Sequence, residues 1–111
     1  MIADDFIHFS ANGLYCPYGD FYLDPQQPVV NAVISHAHGD HAVPGNTNVY
    51  CTQATSLFMQ IRYGKNAGKT FHLQGYHQTF TIGKVAVTLI PAGHMLGSAQ
   101  VLMEYDGIRY L

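Results

Sequence analysis

The segment His36-Ala37-His38-Gly39-Asp40-His41 sets three imidazoles and a carboxylate within six residues. Neutral imidazole nitrogens and carboxylate oxygens are the donors that divalent transition metals take, so this crowding points to metal chemistry. In an extended segment residues two apart face the same way, which lets His36 and His38 reach one ion. Gly39 can turn the chain, so Asp40 and His41 can aim elsewhere, with room for a second ion. With no ion to bind, so many polar groups at the end of a buried strand would carry desolvation costs with nothing to offset them. Downstream, Ala92-Gly93-His94-Met95-Leu96-Gly97-Ser98-Ala99 places one more histidine between glycines. Such a turn is weak evidence alone, but beside a two-histidine site it can supply the third nitrogen. Three histidines with an open position are a catalytic zinc arrangement, in which the pKa of the bound water falls to roughly 7.

Two apolar runs have to position these groups. Residues 29–35 read as a buried strand that delivers the first cluster at its end, and residues 85–90 as a strand that Pro91 terminates just before His94. Residues 6–10 and 21–23 read as strands, with Gly13, Pro17 and Gly19 breaking the stretch between them into turns, and residues 48–51 form a short strand. Thr52 can cap a helix through Tyr63 that Gly64 closes, with Ala54, Leu57, Phe58 and Ile61 spaced for one apolar face. Residues 65–69 read as a solvated basic loop. Residues 70–73 and 79–82 follow as strands, Gly83-Lys84 turns a hairpin, and Asp106-Gly107 joins residues 100–105 to 108–111. His8, His72 and His77 lack ligand spacing and default to structural or surface roles.

His-Ala-His-Gly-Asp-His resembles the HxHxDH signature of the metallo-β-lactamase superfamily, and residues 91–100 resemble the third motif of its nucleic-acid-processing branch, the β-CASP and RNA 3′-end-processing nucleases. Gly13-Leu14-Tyr15-Cys16-Pro17 and Gly19-Asp20-Phe21-Tyr22-Leu23-Asp24-Pro25 are similar to bacterial exonucleases of the ligase-associated DNA damage response, encoded beside a DNA ligase and a helicase. The resemblance implies an α/β (α+β) fold, part of the αββα sandwich, here expected as mainly one mixed or antiparallel sheet with one main helix. It implies that His36, His38 and His94 bind a first metal, and that Asp40 and His41 bind a second and serve catalysis. Asp24 would orient the ligand loop without ligating, an Asp-Pro turn being the plainer reading of the same residues. One or two zinc ions are the implied cofactor, with manganese and iron also suited to these ligands. The implied substrates are single-stranded DNA or RNA, with a DNA ligase and a helicase as partners.

Relatives of this kind continue past residues 108–111 into a Ser/Thr-Gly-Asp segment that bridges the metals. Residues 1–111 are therefore expected to be the N-terminal part of a metallo-β-lactamase domain, truncated before that aspartate, inactive alone and able to self-associate through an uncovered apolar face. The alternatives are another hydrolase of this fold acting on a small ester or thioester, and a non-catalytic metal-binding fragment.

The chain has 111 residues, 48% of them hydrophobic, enough for one core. Five Lys and Arg against seven Asp and Glu give a net charge of −2, which argues mildly against these residues gripping nucleic acid by themselves. Cys16 and Cys51 form no CxxC pair, the acidic start does not resemble a secretory leader, and no apolar run is long enough for a membrane span. These features together point to a cytoplasmic protein with reduced thiols.

Overall fold

The computed structural model describes residues 6–37, 42–93 and 97–111. Among them the chain forms β1 (His8–Ser10), β2 (Gly13–Cys16), β3 (Phe21–Leu23), β4 (Asn31–Val33), β5 (Asn46–Cys51), α1 (Gln53–Tyr63), β6 (Gly68–Leu73), β7 (Thr79–Ile82), β8 (Val85–Pro91), β9 (Ala99–Tyr105) and β10 (Ile108–Tyr110). A short 3-10 turn, Gly64–Asn66, joins α1 to β6.

The first six strands make one sheet in chain order, antiparallel from β1 to β3 and parallel from β3 to β6. Parallel neighbours need a crossover, and α1 supplies it between β5 and β6. The last four strands make a second, antiparallel sheet in the order β10, β9, β8, β7. Val33 and Phe21 of the first sheet pack against Val85, Val87, Leu89 and Met103 of the second, while Ala32, Val49 and Cys51 face the other way, toward Met59 of α1. β4 is thus buried on both faces at Ala32 and Val33, which is why apolar residues dominate the run around it.

The α/β class is as expected, with the strands divided over two facing sheets and not gathered mainly in one. Periodicity reports that a segment is extended and which residues share a face; it does not report which sheet the strand joins. The Gly13–Cys16 stretch, expected as turn, is a strand, because a glycine at a strand start costs little when Leu14, Tyr15 and Cys16 pair with β3. The expected basic loop is shorter than foreseen, since Gly68 already opens β6.

The helix boundaries agree with the capping signals. Thr52 accepts a hydrogen bond from the Thr55 amide, and Gly64 ends the helix at a φ of 63°. Its orientation differs from the expectation. Thr55, Ser56 and Met59 are buried, whereas Leu57, Phe58 and Ile61 face outward, Ile61 at 81% exposure. The apolar stripe has the spacing of a core face, but hydroxyl contacts at the helix start, described below, set the rotation. Among the described residues no helix is long and apolar enough to cross a membrane.

Candidate metal centre

The centre is built outward from β4. Past Val33 the chain leaves the sheet at the carboxyl end of parallel strands, where open α/β sheets place their ligands. Asp24, just past β3, lies beside it, with its amide donating to the Val33 carbonyl at 2.9 Å and a left-handed φ of 45°. Asp24 Oδ1 accepts from the Ser35 amide at 2.7 Å, and Oδ2 accepts from the Ser35 hydroxyl at 2.6 Å. The same Ser35 Oγ lies 2.8 Å from His36 Nδ1.

Proton bookkeeping assigns the imidazole. An ionised carboxylate only accepts, and a hydroxyl has one proton to give, so Ser35 gives it to Asp24 and must accept from His36. Neutral His36 then carries its proton on Nδ1 and its lone pair on Nε2. That is the tautomer a metal takes through Nε2, with a hydrogen-bonded acceptor behind the ring fixing its angle. The donor chemistry at His36 therefore fits a divalent ion.

The start of β9 reaches the same place. The amide of Ala99, the first residue of β9, donates to the Ser35 carbonyl at 2.8 Å, joining the start of β9 to the chain just past β4. Gly97 is pressed onto the start of α1: its carbonyl accepts from the hydroxyls of Thr52 at 2.7 Å and Thr55 at 3.1 Å. Tyr76 donates its hydroxyl to the Ser98 carbonyl at 2.8 Å. Gly97 itself has a φ of 86°, and a Cβ there would come within 2.7 Å of Ala54 Cβ and 2.9 Å of the Thr55 amide, so only glycine fits. At the other end of the helix, Arg62 Nη1 donates to the Ala37 carbonyl at 2.8 Å. Asn46, fully buried, accepts from the Val29 amide at 2.9 Å and donates to the Val43 carbonyl at 3.2 Å, which ties the return from the first histidine segment to the strand that leads into it.

Of the expected ligands, His36 lies in this network, whereas His38, Asp40, His41 and His94 lie outside the described residues. Among the described residues no three His, Cys, Asp or Glu side chains gather closely enough to hold an ion. Asp24 is more than a turn residue, since both its oxygens accept from Ser35, the residue before His36. Sequence reasoning missed Ser35, Arg62 and the threonine pair as contributors. A hydroxyl between an apolar strand and the first histidine was a usable signal; Arg62 had none.

The other histidines take structural or surface places. His72 stacks on Tyr50 at 4.4 Å and lies 3.1 Å from Asn48 Oδ1, and His8 is exposed on the edge strand β1. Both cysteines are buried, and burial raises the two thiols, that of Cys51 to about 12, so neither is a ready nucleophile or ligand. A cleft of about 320 Å³, bounded by Thr52, Ala54, Gln74, Tyr76 and Gly97, opens beside the second histidine segment.

No family model matches the chain. Over 96 residues it is 35% identical to a protein of Opitutus terrae named a probable DNA ligase, covering 86% of this chain and 9% of that protein. Over 109 residues it is 31% identical to the endoribonuclease ysh-1 of Neurospora crassa, covering 69% of this chain and 13% of the relative. The chain thus spans 9% and 13% of the length of these curated relatives. In structure it resembles the flavodiiron protein of Giardia intestinalis, with a TM-score of 0.58 and 25% identity, over 75% of this chain and 22% of that one. The paired sheets with helix α1 between β5 and β6, the shared fold of that neighbour and the two sequence likenesses together support placing this chain in the metallo-β-lactamase superfamily.

Proposed function

We propose that this chain forms part of a divalent-metal-dependent hydrolase that cleaves phosphodiester bonds at the ends of DNA or RNA. The observation that supports the reading is the Ala99-to-Ser35 backbone bond of 2.8 Å, which joins the residue before His36 to the first residue of β9. In this reading His36, His38 and His94 hold one ion, zinc first and manganese or iron as alternatives, while Asp40 and His41 serve a second. A bound ion there supplies Lewis acidity and an activated water for attack on phosphorus. The residues of the chain position it. Asp24 acts through Ser35 to hold the His36 tautomer, and Thr52, Thr55 and Tyr76 hold the backbone at Gly97 and Ser98.

Nucleic acid is favoured as substrate by the relatives, named a DNA ligase and an endoribonuclease. With a net charge of −2, the strand-binding surface is proposed to come largely from outside these 111 residues, and a ligase or helicase is a proposed partner. The reading is tested with labelled single-stranded DNA and RNA and by metal analysis. Expected are zinc bound by the chain and lost in His36→Ala, chelator-sensitive cleavage by a whole protein carrying these residues, and little turnover by residues 1–111 alone. Zinc bound at these residues with neither polymer cleaved removes the nuclease; no zinc bound removes the metal centre.

A second reading, hydrolysis of a small ester or thioester, draws on the flavodiiron neighbour, which shows the same fold in a protein of another kind. A substrate panel separates the two.

A further inference from the structure

Resting on the metal reading above, we infer that Arg62 is a positioning residue for the first histidine segment, holding the Ala37 carbonyl so that the backbone between His36 and His38 keeps one course. Arg62 Nη1 lies 2.8 Å from that oxygen, across 25 residues of sequence. Ala37 is 2% exposed, so its carbonyl gains little from water and depends on a protein donor. The guanidinium lies in the last turn of α1 and its Cζ sits 5.9 Å from the centre of the Tyr63 ring. A charge-assisted bond is stronger and shorter than a neutral one, and the peptide it grips is planar, so fixing the oxygen fixes the plane from which the chain continues to His38.

The other end of the same helix holds the second histidine segment by its backbone. Thr52 and Thr55 donate to the Gly97 carbonyl from the first turn, as Arg62 donates to the Ala37 carbonyl from the last. One rigid rod therefore sets the spacing of two loops that come from different sheets. Carbonyl contacts suit this task, because they constrain the backbone without occupying its side chains.

Two effects of Arg62 oppose each other at a metal site. Ordering the loop favours binding, whereas a fixed positive charge near a dication disfavours it. The guanidinium is spent on a carbonyl and the helix end is exposed, so solvent screens the repulsion and ordering wins. The direction of the effect is therefore a test in itself.

Cobalt(II) serves as the probe, titrated against a competing chelator and read by its visible ligand-field bands. Arg62→Met keeps the aliphatic stem and removes the donor; Arg62→Lys restores a charged donor. Expected are cobalt affinity lower by about 10- to 100-fold in Arg62→Met with altered bands, partial recovery in Arg62→Lys, and only a modest fall in the Tm of the metal-free protein, that of one lost carbonyl bond. Equal or tighter cobalt binding by Arg62→Met overturns the inference. So does a large fall in the metal-free Tm, which would make Arg62 a general structural residue. A His36→Ala arm separates the two levels: if it binds cobalt as the unaltered protein does, or if neither binds, the metal centre itself fails.

Discussion

The carbonyl of Ser35 accepts a 2.8 Å hydrogen bond from the amide of Ala99, so the end of the buried strand in one sheet is joined to the start of β9 in the other. His36 follows Ser35 directly at this junction.

Asp24→Asn should weaken metal binding without unfolding the protein. Asparagine tolerates the left-handed φ of 45°, so the backbone can stay. The new amide can donate to Ser35 Oγ, which then turns its proton toward His36 Nδ1 and forces the ring proton onto Nε2. A fall in cobalt affinity of about 10- to 100-fold is expected, with a stability loss of only about 1 kcal/mol. Nitrogen chemical shifts of His36 read the tautomer directly; unchanged shifts with unchanged affinity refute the relay.

Gly97→Ala should be among the most damaging of small substitutions here. The added methyl meets Ala54 Cβ at 2.7 Å and the Thr55 amide at 2.9 Å, at a φ of 86° that L-residues avoid. Backbone strain and overpacking together are worth roughly 3 kcal/mol. Denaturant melts measure it. A loss below about 0.5 kcal/mol, the range of ordinary surface changes, would mean that the loop does not press on the helix.

The outward face of α1 separates pattern from packing. Ile61→Lys and Leu57→Lys should change stability by no more than about 0.5 kcal/mol and reduce self-association, since both side chains already face solvent. Met59→Ala should cost about 2–5 kcal/mol, because Met59 fills the space between helix and sheet. Reversed magnitudes in urea melts would restore the orientation expected from periodicity.

Alkali should destabilise the fold through Cys51. Burial raises its thiol from an ordinary value of 9.0 to about 12, so the folded state keeps a proton that the unfolded chain loses. The stabilisation is complete below pH 9.0 and is lost as the pH rises toward about 12, at up to about 1.4 kcal/mol per pH unit. Tyr15 adds in the same direction, its hydroxyl held by the Asp20 carboxylate at 2.7 Å and raised from 10.0 to about 12. Urea melts of the protein and of Cys51→Ala across this range should diverge in slope; parallel slopes would show that Cys51 does not titrate on unfolding.

Local chemistry was legible wherever neighbours in sequence suffice. Thr52 and Gly64 bounded the helix, Asp106-Gly107 and Gly83-Lys84 turned hairpins, and the apolar run before His36 held a buried strand, because caps, turns and strand alternation depend on a few adjacent residues. The misplaced features all required a distant partner. Gly13–Cys16 became a strand by pairing with β3, and Leu57 and Ile61 turned outward because Thr52 and Thr55 bond Gly97.

The histidine run, the lone Gly-His turn and the donor types they offer belong to the sequence alone, since imidazole and carboxylate chemistry is intrinsic to the side chain. Tertiary structure decided what stands behind them: that Ser35 relays Asp24 to His36, that Ala99 docks on Ser35, and that one helix grips both segments through Gly97 and Ala37. Those contacts join residues far apart in the chain through backbone groups that every residue carries, so composition and spacing hold no trace of them.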